Sequence, residues 1–133
     1  DLAVQRIEEA QTDVIVLNLA NADMVGHTGR FQPTVEACRV VDQAVGRIHA
    51  ACRPSGSLLV VTADHGNAEQ MIDPLTGQPH TAHTTHQVPA IFVREDLVGA
   101  RLAPGAGLSS VLPTILQILQ MDIPPDLDEP LLL

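Results

Sequence analysis

Three short clusters of carboxylate and imidazole side chains carry the chemistry available to this chain. The first is Asp64 and His65, followed at once by Gly66, at the end of an apolar run from Leu58 to Thr62. A carboxylate offers a hard anionic oxygen and an imidazole a borderline nitrogen, a donor pair suited to a divalent cation. The second is Asp23 and His27, four residues apart, a spacing that in a loop or first helical turn brings both side chains to one ion. The third holds three histidines within seven residues, His80, His83 and His86. Each cluster alone is equally compatible with turn-forming acids and solvated imidazoles. Together, Asp23, His27, Asp64, His65 and His83 can partition between two metals, and mixed oxygen and nitrogen donors fit Mn²⁺ or Zn²⁺ better than Ca²⁺. Two ions about 3.5–4 Å apart would stabilise the attacking and leaving oxygens of a phosphoryl displacement. His80 and His86 read as supporting or surface residues, and the isolated His49 as structural.

For these clusters to meet, the elements between them must fold the chain back on itself. Residues 2–9 read as the end of a helix, which suggests a piece cut from something longer. Residues 13–19 and 58–62 are apolar without alternation, the pattern of buried parallel strands. Between them, Pro33 suits a helix start, and Cys38, Val41, Val45, Ile48 and Cys52 step by three and four along one core-facing stripe. Strand, helix and strand with short connections predict a βαβ unit, which places Asp23 and His27 at the same sheet edge as Asp64 and His65. Turn chemistry at Asp73, Pro74, Thr76 and Gly77 precedes the triple-histidine segment. The strand at 88–93 contains Pro89, which predicts an edge position or an antiparallel return. Ser109 or Ser110 suits the cap of a last helix burying Val111, Leu112, Ile115, Leu116 and Leu119, and the closing leucines suit a packed tail.

Composition limits the partners. The 133 residues are 45% apolar and 17% charged, ordinary for one globular domain. Seven basic against 16 acidic residues leave a net charge of -9, which argues against nucleic-acid or anionic-membrane surfaces. An anionic substrate would need a local source of positive charge, and bound metal is one. Cys38 and Cys52 lie at opposite ends of the central helix, so buried free thiols in a reducing compartment are expected rather than a disulfide. With neither a signal peptide nor an apolar run of spanning length in these residues, the expected location is cytoplasmic.

At Asn21 to Gly29, Thr62 to Glu69 and His80 to Pro89 the sequence resembles cofactor-independent phosphoglycerate mutase, of the alkaline phosphatase superfamily. The strings Asp-Met-Val-Gly-His-Thr-Gly, Thr-Ala-Asp-His-Gly-Asn-Ala-Glu and His-Thr-Ala-His-Thr-Thr occur in order and suitably separated. The resemblance implies an α/β fold with a mostly parallel sheet and flanking helices. Residues 1–133 would be the C-terminal portion of a phosphatase-like metal-binding domain, without its N-terminal part and inserted second domain. It further implies that Asp23, His27 and His83 bind one Mn²⁺ and that Asp64 and His65 bind another. The implied reaction is the glycolytic interconversion of 3-phosphoglycerate and 2-phosphoglycerate through a phosphoserine intermediate, by a parent protein expected to be monomeric.

The serine that the family places in the N-terminal part of its domain has no match here. Ser55, Ser57, Ser109 and Ser110 read as turn and cap residues, so the isolated chain is expected to be inactive. Family members commonly have Asn in place of His86 and often Asp in place of Ser110. The segment from Asp126 to Pro130 also departs from the pattern, although all five metal positions are intact. Another phosphomutase or phosphohydrolase of the same superfamily, or a non-catalytic metal-binding fragment, stands as the alternative.

Overall fold

The structure is a computed structural model and describes all 133 residues. The chain divides into two compact units, Asp1–Glu95 and Asp96–Leu133. The fold class is α/β, and all five candidate metal residues belong to the first unit.

That unit is built on one long helix. Helix α1 spans Leu2–Glu9, α2 spans Asn21–Gly26 and α3 spans Phe31–Ser55, with α1 and α2 both packed against α3. Pro33 falls in the first turn of α3, where its missing N–H leaves no intrahelical bond unmade. The helix ends in a Schellman turn: Gly56 adopts a left-handed conformation, its N–H donates to Arg53 O, and the Ser57 N–H donates to Cys52 O.

The buried residues of α3 are Thr34, Ala37, Ala51 and Cys52, with Val41, Val45 and Ile48 half-buried. The expected stripe is therefore right in its C-terminal half and shifted in its N-terminal half, where Cys38 is exposed. At this end of α3 the inward face is carried by the small side chains of Thr34 and Ala37. Both cysteines are free, and burial pushes the Cys52 thiol up.

Strand β1, Leu59–Thr62, pairs antiparallel with β2, Ala90–Val93, aligning Leu59 with Val93 and Thr62 with Ala90. The return begins directly after Pro89, as its ring requires. The parallel pairing expected between 13–19 and 58–62 is not formed. Residues 13–19 belong to no ladder, and Val14 and Val16 are 70% and 92% exposed. An apolar strand is held by neighbours that take up its backbone groups and cover its faces, and no strand of this chain pairs with it.

Between the strands, Asp73 organises a tight turn. Its Oδ1 accepts the Leu75 and Thr76 N–H groups at 2.8 and 2.9 Å, its N–H donates to Gln78 O, and the His80 N–H donates to Met71 O. The Thr76 and Leu75 N–H groups hold the Asp73 carboxyl below the usual carboxylate range. This turn reverses the chain and delivers residues 81–86 to the site.

In the second unit, α4 spans Val111–Ile118 and buries Pro113, Thr114 and Ile118. Ser110 precedes it as expected but makes no side-chain cap. Leu112 and Leu119, expected inside, are 52% and 43% exposed, because the inward face is centred on Thr114. The Thr114 hydroxyl donates to Ser110 O at 2.6 Å and accepts the Leu131 N–H at 2.7 Å, tying the closing leucines to α4. Leu131 is buried, and the tail bridges Leu102 at Leu132. Thr114→Val should therefore leave the buried Leu131 N–H unsatisfied and cost about 1–3 kcal/mol. Amide exchange at Leu131 and a urea midpoint would check this; unchanged protection of that amide would contradict it.

Candidate metal centre

Asp23 and His27 lie one turn apart on α2 and at its C-terminal cap, so their side chains leave the same helical face. The His27 ring is oriented by a backbone group. Its Nδ1 lies 2.7 Å from Thr81 O, and because a carbonyl only accepts, Nδ1 carries the proton. In the neutral ring Nε2 then presents a lone pair, and it lies 3.2 Å from Asp23 Oδ1 and 3.1 Å from His83 Nε2. His83 Nε2 lies 3.4 Å from the same Asp23 oxygen. Three donor atoms thus form a nearly equilateral triangle, two of them from residues four positions apart and the third, from His83, 56 and 60 positions further along.

Acceptor lone pairs repel at such distances unless a proton or cation lies among them. Ligands about 2.1 Å from a shared ion stand about 3.0–3.4 Å from one another in octahedral or tetrahedral arrangements. The three donor atoms therefore fit a divalent cation, and the Thr81 carbonyl behind His27 is the kind of partner that orients a metal-bound imidazole.

Asp64 and His65 follow β1. His65 Nε2 is 3.6 Å from Asp64 Oδ1, and Asp64 is strongly exposed at 84%. The His65 ring stacks on the His83 ring with centroids 3.6 Å apart and planes inclined by 20°. Thus Asp23, His27 and His83 come together as one group, while Asp64 and His65 form a second pair beside it. The meeting of clusters expected from a parallel sheet occurs without that pairing.

His86 Nδ1 lies 3.1 Å from Glu69 Oε1, away from the three-donor group. His49 is exposed on α3, and the buried Nδ1 of His80 has no hydrogen-bond partner.

Asn67, Glu69, Thr84 and Thr81 were not singled out by spacing, yet they frame the site. The Asn67 amide donates to Asp23 Oδ1 at 3.0 Å, and its backbone N–H donates to Glu69 Oε2 at 2.7 Å. Glu69 Oε1 also accepts the Thr84 hydroxyl, while the Thr84 N–H donates to Gly66 O. Two glycines make room. A Cβ at Gly26 would overlap Asn67 Oδ1, and one at Gly66 would overlap Thr84 Oγ1 and Glu69 Oε1. Gly66 is thus required for close approach rather than for a left-handed backbone. The available sequence signal was the polar string from Asp64 to Glu69, in which Gly66, Asn67 and Glu69 each bond to another segment or to one another.

A family model described as the metalloenzyme superfamily matches residues 1–123. The chain belongs to the metalloenzyme superfamily. It is 48% identical over 124 residues to the 2,3-bisphosphoglycerate-independent phosphoglycerate mutase of Rhodopirellula baltica, covering 93% of this chain and 23% of that protein. The enzyme of the same description from Shewanella amazonensis is 50% identical over 127 residues, covering 96% and 24%. Among solved structures, Leishmania mexicana phosphoglycerate mutase at low cobalt concentration superposes with a TM-score of 0.88 at 27% identity, covering 99% of this chain and 27% of that one. The chain thus has the phosphoglycerate mutase fold and spans about a quarter of the length of these relatives.

Burial pushes the Glu69 carboxyl up, but the Thr84 hydroxyl, the Glu69 and Asn67 N–H groups and the His86 ring together hold it below the usual carboxylate range. A carboxyl held low when folded stabilises the fold fully above the unfolded glutamate value, about 4.3, and that contribution is lost as pH falls through the lower folded value. Glu69→Gln should therefore unfold at lower urea than the parent chain near neutral pH, with the gap closing on acidification below about pH 4. A gap constant with pH would contradict this role.

Proposed function

We propose that this chain is the C-terminal, metal-binding portion of a phosphoglycerate mutase that interconverts 3-phosphoglycerate and 2-phosphoglycerate through a phosphoserine at a two-metal site. The observation that carries this reading is the convergence of Asp23 Oδ1, His27 Nε2 and His83 Nε2 at 3.1–3.4 Å in a chain about 50% identical to enzymes of that name. Asp23, His27 and His83 would hold one divalent cation, and Asp64 and His65 would contribute to a second, with the mixed donor set favouring Mn²⁺ over Ca²⁺.

The bound cations would supply positive charge against a transferring phosphoryl group, which an acidic chain otherwise lacks. The Thr81 carbonyl accepts the Nδ1–H of His27 and so aims its Nε2 at the group, and stacking on His83 holds His65 beside it. The serines do not substitute for a nucleophile: Ser55 donates to carbonyls of its own helix and bonds Ser57, while Ser110 is buried before α4. The remaining three quarters of the parent protein would supply the serine and the groups that bind phosphoglycerate, working in the cytoplasm as a monomer. No helix of this chain is long and apolar enough to cross a membrane.

The test is conversion of 3-phosphoglycerate to 2-phosphoglycerate with Mn²⁺ and no bisphosphoglycerate, by this chain and by the protein that includes the preceding region. Activity confined to the longer form, and reduced to background by Asp64→Ala or His83→Ala, is expected. Turnover of a general phosphatase substrate instead would contradict the mutase reading, as would full activity in the 133-residue chain.

A further inference from the structure

Between the candidate ligands and the rest of the first unit stands a pair of polar residues that touches no metal donor except one. Asn67 is 6% exposed, and its side-chain amide is divided between two duties. Nδ2 donates to Asp23 Oδ1, and Oδ1 packs against the bare Cα of Gly26 on the same helix. An amide nitrogen facing a carboxylate is the only assignment of the two amide ends that attracts. The oxygen it grips is the one facing both imidazoles, and one of its lone pairs remains directed toward them.

Asn67 is itself held by Glu69, whose Oε2 accepts its backbone N–H. Through Oε1, Glu69 reaches the Thr84 hydroxyl and His86 Nδ1, one and three residues beyond His83. Thr84 is bridged to Gly66, next to His65. A single carboxylate thus clamps the segment carrying Asp64 and His65 to the segment carrying His83, and passes that registration to Asp23 through Asn67.

We infer that Asn67 and Glu69 are the positioning residues of this centre: Asn67 sets the rotation of the Asp23 carboxylate, and Glu69 fixes Asn67 relative to His83. The inference rests on the assignment of Asp23, His27 and His83 as ligands of a divalent cation. Neither residue is a ligand, and both act through the donors they hold.

The experiment is a Co²⁺ titration of the 133-residue chain, followed by visible absorption for donor geometry and by calorimetry for affinity. Asn67→Ala should weaken Co²⁺ binding about 10–100-fold and alter the absorption bands, the size of effect that partners of metal ligands produce. Glu69→Gln, which keeps the shape of the side chain, should act in the same direction and carries the test should Asn67→Ala not fold. Val45→Ala, half-buried on α3 away from the site, should lower the unfolding midpoint while leaving affinity and bands unchanged, separating loss of stability from loss of positioning. Affinity within about twofold of the parent chain and identical bands in Glu69→Gln and any folded Asn67→Ala would overturn the positioning role, since an orienting partner moves both. No binding by the parent chain, or equal binding by His83→Ala, would overturn the ligand assignment and the positioning role with it.

Discussion

Two imidazole nitrogens and a carboxylate oxygen are held within 3.1–3.4 Å of one another, and the first unit is organised around keeping them there. The Thr81 carbonyl accepts the Nδ1–H of His27, which in the neutral ring leaves Nε2 as an acceptor facing a carboxylate. The triangle is favourable only when a proton or a cation is shared among its corners. Such pre-organisation places the cost of assembling the ligands in the fold rather than in the binding step.

Each structural feature near the site meets that cost with a specific contact. The i, i+4 geometry of α2 sets two corners, and the packing of α2 on α3 fixes that short helix to the core. The Asp73 turn reverses the chain so that Thr81 and His83 arrive beside it. Gly26 and Gly66 give up side chains so that Asn67, Glu69 and Thr84 can approach. β1 and β2 pair only with each other, so they anchor the segments after Thr62 and before Ala90 without forming a larger sheet in this chain.

Much of this was legible in the sequence because it depends on local spacing. The pairing of Asp23 with His27, the turn at Asp73, the central helix and the antiparallel return after Pro89 all follow from neighbours within a few residues. His83 stands out as part of the triple-histidine segment, but no spacing rule joins it to His27, 56 positions away, and only the family strings assign the two to the same ion. Residues 13–19 carry the apolar pattern of a buried strand, yet they join no ladder and Val14 and Val16 are exposed, because a strand is completed by neighbours and no strand of this chain pairs with it. The stripe on α3 missed Thr34 and Ala37 because a hydrophobicity pattern favours large side chains, whereas close packing selects small ones. Asn67 and Glu69 escaped because their role lies in hydrogen bonds across 15 to 44 residues, which no periodicity encodes.

The most direct test of a shared cation is the imidazole nitrogen spectrum of ¹⁵N-labelled chain as Zn²⁺ is added. Coordinate through the observed corners, and Nε2 of His27 and His83 shift together to metal-bound positions while Nδ1 of His27 stays protonated against Thr81 O. Ligation through Nδ1, or shifts at His49 or His86 with the two Nε2 signals unmoved, would contradict the account.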